Sequence, residues 1–458
     1  MALPQADRAL CTDLYELTMA AAYFELGMNE RAAFELTVRS LPPGRSYMVC
    51  AGLEQAVSYL QNLRFTGEQI GYLRALPMLA GVSGEFFDYL REFRFIGSLS
   101  AMPEGTPAFA DEPLLRVEAP IIQAQVVETF LLSMVNYQTL VATKASRVVQ
   151  AARTDGRDRP VVDFGTRRAH GPDAAVLAAR AAYIGGCAGT SNVEAGHRLG
   201  IPVSGTEAHS FIMAFASEEA AFSGYYRCFG GEAVLLVDTY DVLEGVRRAI
   251  RAAPGMHGIR IDSGDIADLS RRARAMLDDA GLRDVLITAS GDLDEFRIAE
   301  LLTNGARVDG FGVGTKLVTS DDAPFLGGVY KLVAVQRNGR WEPCLKLSPE
   351  KQTFPGMKAV FRFSDPRSGQ FTHDLLAGAD EPCPEGAASL LKPVLGEGKP
   401  SAHLPALDRI RAHAAEQLAR LPDRHRRLKD PEPYPVEVSR PLREAFTSLS
   451  EQIQRGRR

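Results

Sequence analysis

The chain has 458 residues, enough for two or three domains and a sizeable core. Hydrophobic residues make up 45% and charged residues 24%, the balance of a folded globular protein, which excludes disorder, a collagen and a disulfide scaffold. A formal net charge of −5 gives no reason to expect nucleic acid or an anionic membrane as partner.

No apolar run approaches the roughly 18 residues that span a bilayer. The opening MALPQADRAL lacks a basic stretch followed by an apolar one, so a cytoplasmic protein is expected. Cys11, Cys50, Cys187, Cys228, Cys344 and Cys383 are scattered, with no C-x-x-C pair and no His at zinc-ligand spacing, so they read as reduced small hydrophobes.

In chain order, residues 1–118 are mixed, with a helix expected at 13–26 and Pro/Gly turns at 42–44 and 103–107. Pro120 opens a long helical stretch through about residue 149. A repeating pattern follows, of a short apolar run, a polar or glycine-rich turn and a helically spaced segment. The runs are 161–164, 202–206, 233–238, 258–262, 285–289 and 310–315, spaced as parallel strands with crossover helices.

Asp241 with Glu244, and Asp292 with Glu295, resemble capping boxes. Leu243, Val246 and Ile250 share one helical face, as do Ile266, Leu269, Ala273 and Met276. Strands ending in polar residues or glycine suit the active-site edge of a (β/α) barrel, and an open doubly wound sheet would show the same preference. Beyond residue 330 come strand-like alternation at 329–335, Gly/Pro-rich loops at 378–400 and a basic helix at 407–421, read as a solvated face.

Four clusters at strand ends carry chemistry. In FGTRRAHG, from Phe164, adjacent arginines suit bidentate capture of phosphate or carboxylate, with a surface ion pair as the plainer alternative. In GTEAHSF, from Gly205, nothing local separates a catalytic from a structural histidine. In RIDSGD, Arg260 and Asp262 stand two apart on a strand and face the same side, toward one cavity or merely toward each other. The fourth cluster joins Ser290–Gly291–Asp292 with GFGVGTK, where glycines and a Thr offer backbone N–H groups and a hydroxyl to a phosphate. Cations, phosphate-cradling glycines and isolated acids around one mouth suit a phosphorylated sugar with a small anion. Residue chemistry alone stops at phosphoryl or glycosyl transfer on a phosphorylated substrate.

At these same residues the sequence resembles the nicotinate phosphoribosyltransferases of the type II phosphoribosyltransferase superfamily. The matching pieces, in order, are TDLYELTM from Thr12, FGTRRAHGPD from Phe164, GTSN from Gly189, GTEAHSF, RIDSGD, GFGVGTKLVT, GGVYKLV from Gly327 and EKQTFPGMK from Glu350. The resemblance implies an irregular (β/α) barrel with a second α+β domain formed from the N- and C-terminal regions. The corresponding division is 1–118 as an N-terminal α+β domain, 119–330 as the barrel with the active site and 331–458 as a C-terminal region packing with the N-terminal domain.

The implied reaction joins nicotinate to 5-phosphoribosyl 1-diphosphate, giving nicotinate mononucleotide and diphosphate. ATP hydrolysis is coupled through a phosphohistidine at His209, which places the enzyme in the ligase class. Mg²⁺ is expected on the phosphates, and a homodimer with shared active sites is implied. By the same resemblance the pyridine ring lies between Phe164 and a Tyr15 from the other subunit, Arg260 holds the carboxylate, and Ser191 and Thr206 complete the nicotinate set. Asp262 faces the cationic ribose centre. Gly291, Asp292, Gly314 and Thr315 cradle the 5-phosphate and hydroxyls, with Arg167, Lys331 and Lys358 toward diphosphate.

These residue types suit such roles: flat aromatic faces favour a flat ring, an Arg fork matches a carboxylate, and a carboxylate stabilises an oxocarbenium-like centre. The competing readings are a nicotinamide-using or quinolinate-using relative and a catalytically silent sensor of phosphoribosyl compounds. Nicotinamide-using relatives carry Asp where this chain has Ser191, which favours nicotinate here. The plainer reading of Ser191 is a cap on the following helix.

Overall fold

Five of the six expected apolar runs, together with an unexpected short strand at Gly189–Thr190, form a six-stranded, fully parallel sheet. Its strands are β1 (Val161–Asp163), β2 (Gly189–Thr190), β3 (Val234–Leu236), β4 (Gly258–Ile261), β5 (Leu286–Ala289) and β6 (Gly310–Val313), ordered β2-β1-β6-β5-β4-β3. Parallel pairing requires crossover connections that cover the sheet, so its strands read as near-continuous apolar runs. Ile259, Ile261, Ile287, Ala289, Phe311 and Val313 are all buried. The computed structural model describes residues 5–348, 353–401 and 403–456; Glu350, Lys351 and Gln352 of the EKQTFPGMK match lie outside the described residues. Two compact units are present, one of Met1–Leu140 with Phe325–Arg458, the other of Val141–Pro324.

The strand expected at 202–206 is reduced to one bridge, Val203 with Thr190, and residues 204–208 run on without regular structure. Pro202 lacks an N–H for a ladder and Gly205 weakens extended pairing. Among the described residues no backbone pair joins this segment to β3. The carboxyl of Glu207 spans the gap instead, its Oε1 accepting the N–H of Leu236 at 2.9 Å.

Helix starts follow side-chain caps. Asp241 caps Val242–Ala252 by accepting the N–H of Glu244 at 2.8 Å. The next expected cap moves by two residues: Asp294, not Asp292, accepts the N–H of Arg297 at 2.7 Å and opens Glu295–Thr303. Asp292 is held at φ 46° in the preceding turn, outside the extended geometry of a cap. Buried faces are also rotated from those expected, to Gly245, Val246 and Ala249 in one helix and to Ile266, Ala267, Ser270, Ala273 and Leu277 in Ile266–Asp279.

The stretch expected as one helix from Pro120 breaks into Ile121–Val126 and Glu128–Ala151. At the break the N–H of Thr129 donates to the Glu16 carboxyl at 2.9 Å instead of continuing the helical ladder. Farther along, buried Lys144 and Arg147 meet the buried carboxylate of Glu295 at 2.5 and 2.9 Å, and Lys144 also reaches Asp322 at 2.7 Å. This cluster pins the base of Glu295–Thr303.

In the other unit, strand Arg31–Val38 lies between Gly328–Arg337 and Pro113–Pro120, both antiparallel to it, within a seven-stranded sheet. Phe34 stacks on Tyr330 with ring centroids 4.9 Å apart. A four-stranded sheet holds a buried Arg362–Asp374 pair, to which the Tyr434 hydroxyl also donates at 3.2 Å. The expected N-terminal helix is Leu14–Glu25, and the basic C-terminal helix is Leu407–Arg420, with Ile410 and Ala414 buried. No described helix is long and apolar enough to cross a membrane.

Candidate active site

The C-terminal ends of the parallel strands open into one cavity of ≈ 780 Å³ within the Val141–Pro324 unit. Phe164, Arg167, Ser191, Thr206, His209, Arg260, Asp262, Gly291, Asp292, Gly314 and Thr315 all line it. A parallel sheet collects its strand ends on one side, so residues far apart in the chain meet there.

β1 delivers Phe164, whose N–H donates to Val313 on β6 at 2.8 Å. The ring lies where the side chain of residue 312 would stand: a Cβ on Gly312 would come within 2.3 Å of the Phe164 ring carbons. Asp163, just before it, is buried and accepts the N–H of Gly165 at 2.8 Å and the Thr190 hydroxyl at 2.7 Å, tying β1 to β2. Burial pushes the Asp163 carboxyl above the ordinary range. Arg167 and Arg168 are exposed on the short turn after β1, and neither forms an ion pair among the described residues. Both guanidinium groups are therefore available at the cavity rim.

β4 delivers Arg260 and Asp262. Arg260 donates from Nη1 to the Thr206 hydroxyl and, at 3.3 Å, to the carbonyl of Glu207, while its Nη2 stands 3.8 Å from Asp262. Its Nε is buried without a partner, and its Cζ lies 6.0 Å from the Phe164 ring centroid. Burial lowers the Arg260 pKa, opposed by Asp262 and Asp238, and the group stays cationic because guanidinium starts so high. An unsatisfied donor beside an aromatic face suits a planar ring bearing a carboxylate.

Asp262 is held by its neighbours. Its carboxylate accepts the Ser290 hydroxyl, and its N–H donates to Asp238 at 3.2 Å. The turn after β5 presses on it: Gly291 has φ 87°, and a Cβ there would stand 1.9 Å from the carbonyl oxygen of Asp262. Gly314 precedes the single turn Thr315–Val318. Lys316 pairs with Asp294 at 2.8 Å, which raises the lysine pKa, while on Asp294 burial is outweighed by the Lys316 hydrogen bond and charge, lowering its carboxyl.

His209 opens the short helix His209–Met213, and its Nδ1 lies 3.2 Å from the Thr239 hydroxyl. Nε2 has no hydrogen-bond partner among the described residues. Ser191 is not the cap of Val193–Leu199: Asn192 fills that place, accepting the N–H of Ala195 at 2.9 Å.

Sequence reasoning missed Asp238, Thr239, Glu207 and Gly312. Asp238 ends a run read as a strand, and a buried-looking strand closing on Asp was the signal available. Its Oδ2 also accepts the Ser263 hydroxyl at 2.6 Å, and its Oδ1 is buried without a partner. Burial pushes the Glu207 carboxyl up to about 7, partly offset by the Leu236 N–H and by Arg260.

Tyr15, Lys331 and Lys358 belong to the other unit. Tyr15 is 46% exposed on Leu14–Glu25, and burial of its hydroxyl end, together with Glu128, raises the phenol pKa. Its hydroxyl donates to the Glu128 carboxylate, which Gln125 holds at 2.8 Å. The adjacent Glu16 is buried, accepts the Thr12 and Thr129 hydroxyls, and is pushed up to about 7 by that burial. Lys358 is buried, pairs with Glu35 at 2.7 Å and donates to the carbonyls of Phe354 and Gly356 at 2.8 Å. Lys331 and Lys358 line a separate cavity of ≈ 440 Å³ with Arg443, Thr37, Thr353 and Thr447.

No group of three or more His, Cys, Asp or Glu side chains suited to a metal converges among the described residues. A protein-built metal cage therefore does not fit this unit. An Mg²⁺ that keeps its waters and rides on substrate phosphates needs no such cage.

Three family descriptions match the chain: the nicotinate phosphoribosyltransferase N-terminal domain over residues 10–136, the nicotinate phosphoribosyltransferase family over 160–371 and its C-terminal domain over 383–446. A nicotinate phosphoribosyltransferase of Mycobacterium tuberculosis is 47% identical over 96% of this chain and 93% of its own length. One from Bacillus subtilis is 42% identical over 94% of this chain and 93% of its own. The crystal structure of human nicotinic acid phosphoribosyltransferase superposes with a TM-score of 0.81 at 32% identity, covering 96% of this chain and 99% of that one.

Proposed function

The chain belongs to the nicotinate phosphoribosyltransferase family, and on that premise we propose that it forms nicotinate mononucleotide and diphosphate from nicotinate and 5-phosphoribosyl 1-diphosphate. The observation that carries this reading is the unpartnered, buried Nε of Arg260 beside the Phe164 ring, in the same cavity as Asp262 and the glycine turns. Nicotinate has the matching form, a flat ring with a carboxylate in its plane. Phe164 covers one face of that ring, and Arg260 and Thr206 take the carboxylate.

The reaction breaks the C1–oxygen bond to diphosphate and forms the C1–nitrogen bond to the ring. Positive charge grows on the ribose as the first bond lengthens, and the Asp262 carboxylate, fixed by Ser290, stabilises it electrostatically. The backbone N–H groups around Gly291, Asp292, Gly314 and Thr315 hold the 5-phosphate and hydroxyls, with Arg167 toward the departing diphosphate. Mg²⁺ carried on the phosphates would add charge neutralisation there.

His209 is assigned to the ATP-coupled half of the reaction. Nε2, free while Nδ1 faces Thr239, takes the γ-phosphoryl group with release of ADP, and hydrolysis of the phosphohistidine returns the imidazole. The added negative charge at the cavity mouth helps order the diphosphate end. Phe164 is the one phenyl or phenol ring among the described cavity-lining residues, and the family resemblance assigns the second face of the pyridine ring to Tyr15 of a partner subunit in a homodimer. The Val203–Thr190 bridge and the Glu207–Leu236 hydrogen bond, between the edge strands β2 and β3, support reading the sheet as an irregular barrel with a seam at Glu207.

Replacing Arg260 by Gln should raise the KM for nicotinate and lower kcat/KM by more than about 30-fold, the loss of a charge-assisted pair of roughly 2 kcal/mol or more. An unchanged KM contradicts the carboxylate assignment. His209→Asn should keep slow, ATP-independent synthesis while losing ATP hydrolysis and acid-labile labelling from γ-labelled ATP. Labelling that survives in His209→Asn places the phosphoryl acceptor elsewhere.

A further inference from the structure

We propose that Glu207 makes nicotinate capture proton-linked: neutral, it leaves Arg260 to the substrate carboxylate; ionised, it competes with that carboxylate for the same guanidinium. The proposal rests on the reading that Arg260 receives the carboxylate.

Glu207 is 6% exposed and lines the cavity. One carboxyl oxygen is committed to the N–H of Leu236 at the seam, and the other is buried with no partner. A buried carboxylate with a single hydrogen bond is costly, whereas the neutral acid sheds most of that penalty. The backbone carbonyl of the same residue takes Nη1 of Arg260, so the carboxyl and the guanidinium share one neighbourhood.

Several charged and titratable groups surround it. Its own segment carries His209. β4 carries Arg260, Asp262 follows its last residue, and Asp238 lies just past β3. The helix Glu218–Phe229 presents Glu218, which disfavours ionisation of Glu207, and Tyr225, whose phenol is raised by burial and then by Glu207. Glu218 is in turn paired with Arg248 at 3.1 Å. Arg260 is therefore the principal cation facing Glu207, and burial still leaves the carboxyl at about 7.

The sign follows from linkage. An anion arriving at Arg260 offsets the cationic attraction that, beside the Leu236 N–H, favours ionised Glu207, and adds a repulsion, so its pKa rises further on binding. Nicotinate binding then takes up a proton at and above neutrality. Affinity is full below about pH 7 and falls as pH rises past it.

Glu207→Gln tests this because the amide oxygen still accepts the Leu236 N–H while the group no longer titrates. The wild-type KM for nicotinate should rise about fourfold between pH 7 and 8.5, as one pKa unit of linkage on a starting value of about 7 requires. In Glu207→Gln it should change less than about twofold over the same range. Calorimetric titration in buffers of different ionisation enthalpy should show proton uptake by the wild-type protein at pH 7.5 and none by the variant. Nicotinamide, the neutral isostere, used as an inhibitor, should show no such dependence in either protein. The wild-type uptake needs no variant to fold, so its absence overturns the proposal outright. Parallel pH profiles in wild type and Glu207→Gln overturn it as well. An unchanged KM in Arg260→Gln, by contrast, strikes the carboxylate assignment beneath it.

Discussion

Ser191 lines the cavity while its neighbour Asn192 caps the helix, so the hydroxyl is not committed to secondary structure. Aspartate at this position would repel a carboxylate and accept a hydrogen bond from a carboxamide. Ser191→Asp should therefore lower the ratio of kcat/KM for nicotinate over nicotinamide by at least about tenfold, within the 1–3 kcal/mol that a single contact in a pocket supplies. Steady-state kinetics with both substrates read this directly, and an unchanged ratio returns Ser191 to a structural part. The quoted motifs reached Phe164, Arg260 and Asp262 because strand-end residues declare their chemistry locally. Asp238, Thr239 and Glu207 act through partners 24 to 30 residues away, which spacing within a motif does not reveal.

Strands and helices were readable where the apolar period is strong. The N-terminal helix agrees with its expected start and end within one residue, Leu14–Glu25 against 13–26. Errors fell where a side chain from elsewhere captured the backbone: Glu16 takes the N–H of Thr129 and divides one helix into two. Left-handed geometry at Asp292 moved a cap to Asp294 in the same way.

Two substitutions test how elements hold the cavity. Gly312→Ala should displace the Phe164 ring, costing about 1–3 kcal/mol of stability by overpacking and raising the KM for nicotinate. Unaltered KM and denaturation midpoint would show that the ring has another seat. Glu295→Ala strands the buried Lys144 and Arg147 cations and should cost about 3–5 kcal/mol in denaturant unfolding. A loss below about 1 kcal/mol would mean that Asp322 and water compensate.

Across the whole chain, Tyr15, Lys331 and Lys358 lie in the unit built from both chain ends, and the remaining candidate residues lie in the Val141–Pro324 unit. If Tyr15 completes the site of a partner subunit, mixing inactive Tyr15→Ala with inactive Asp262→Ala protein should restore part of the activity, because some mixed dimers contain one intact composite site. No rescue after verified subunit exchange would make each site self-contained. The central assignment is tested most directly by turnover of the purified protein with 5-phosphoribosyl 1-diphosphate and either nicotinate or nicotinamide, product mononucleotides being separated and quantified. Nicotinate mononucleotide should form with a kcat/KM at least about a hundredfold above that for nicotinamide, as expected of a site with a buried donor set for a carboxylate. Equal use of both substrates, or no mononucleotide from nicotinate, would contradict it.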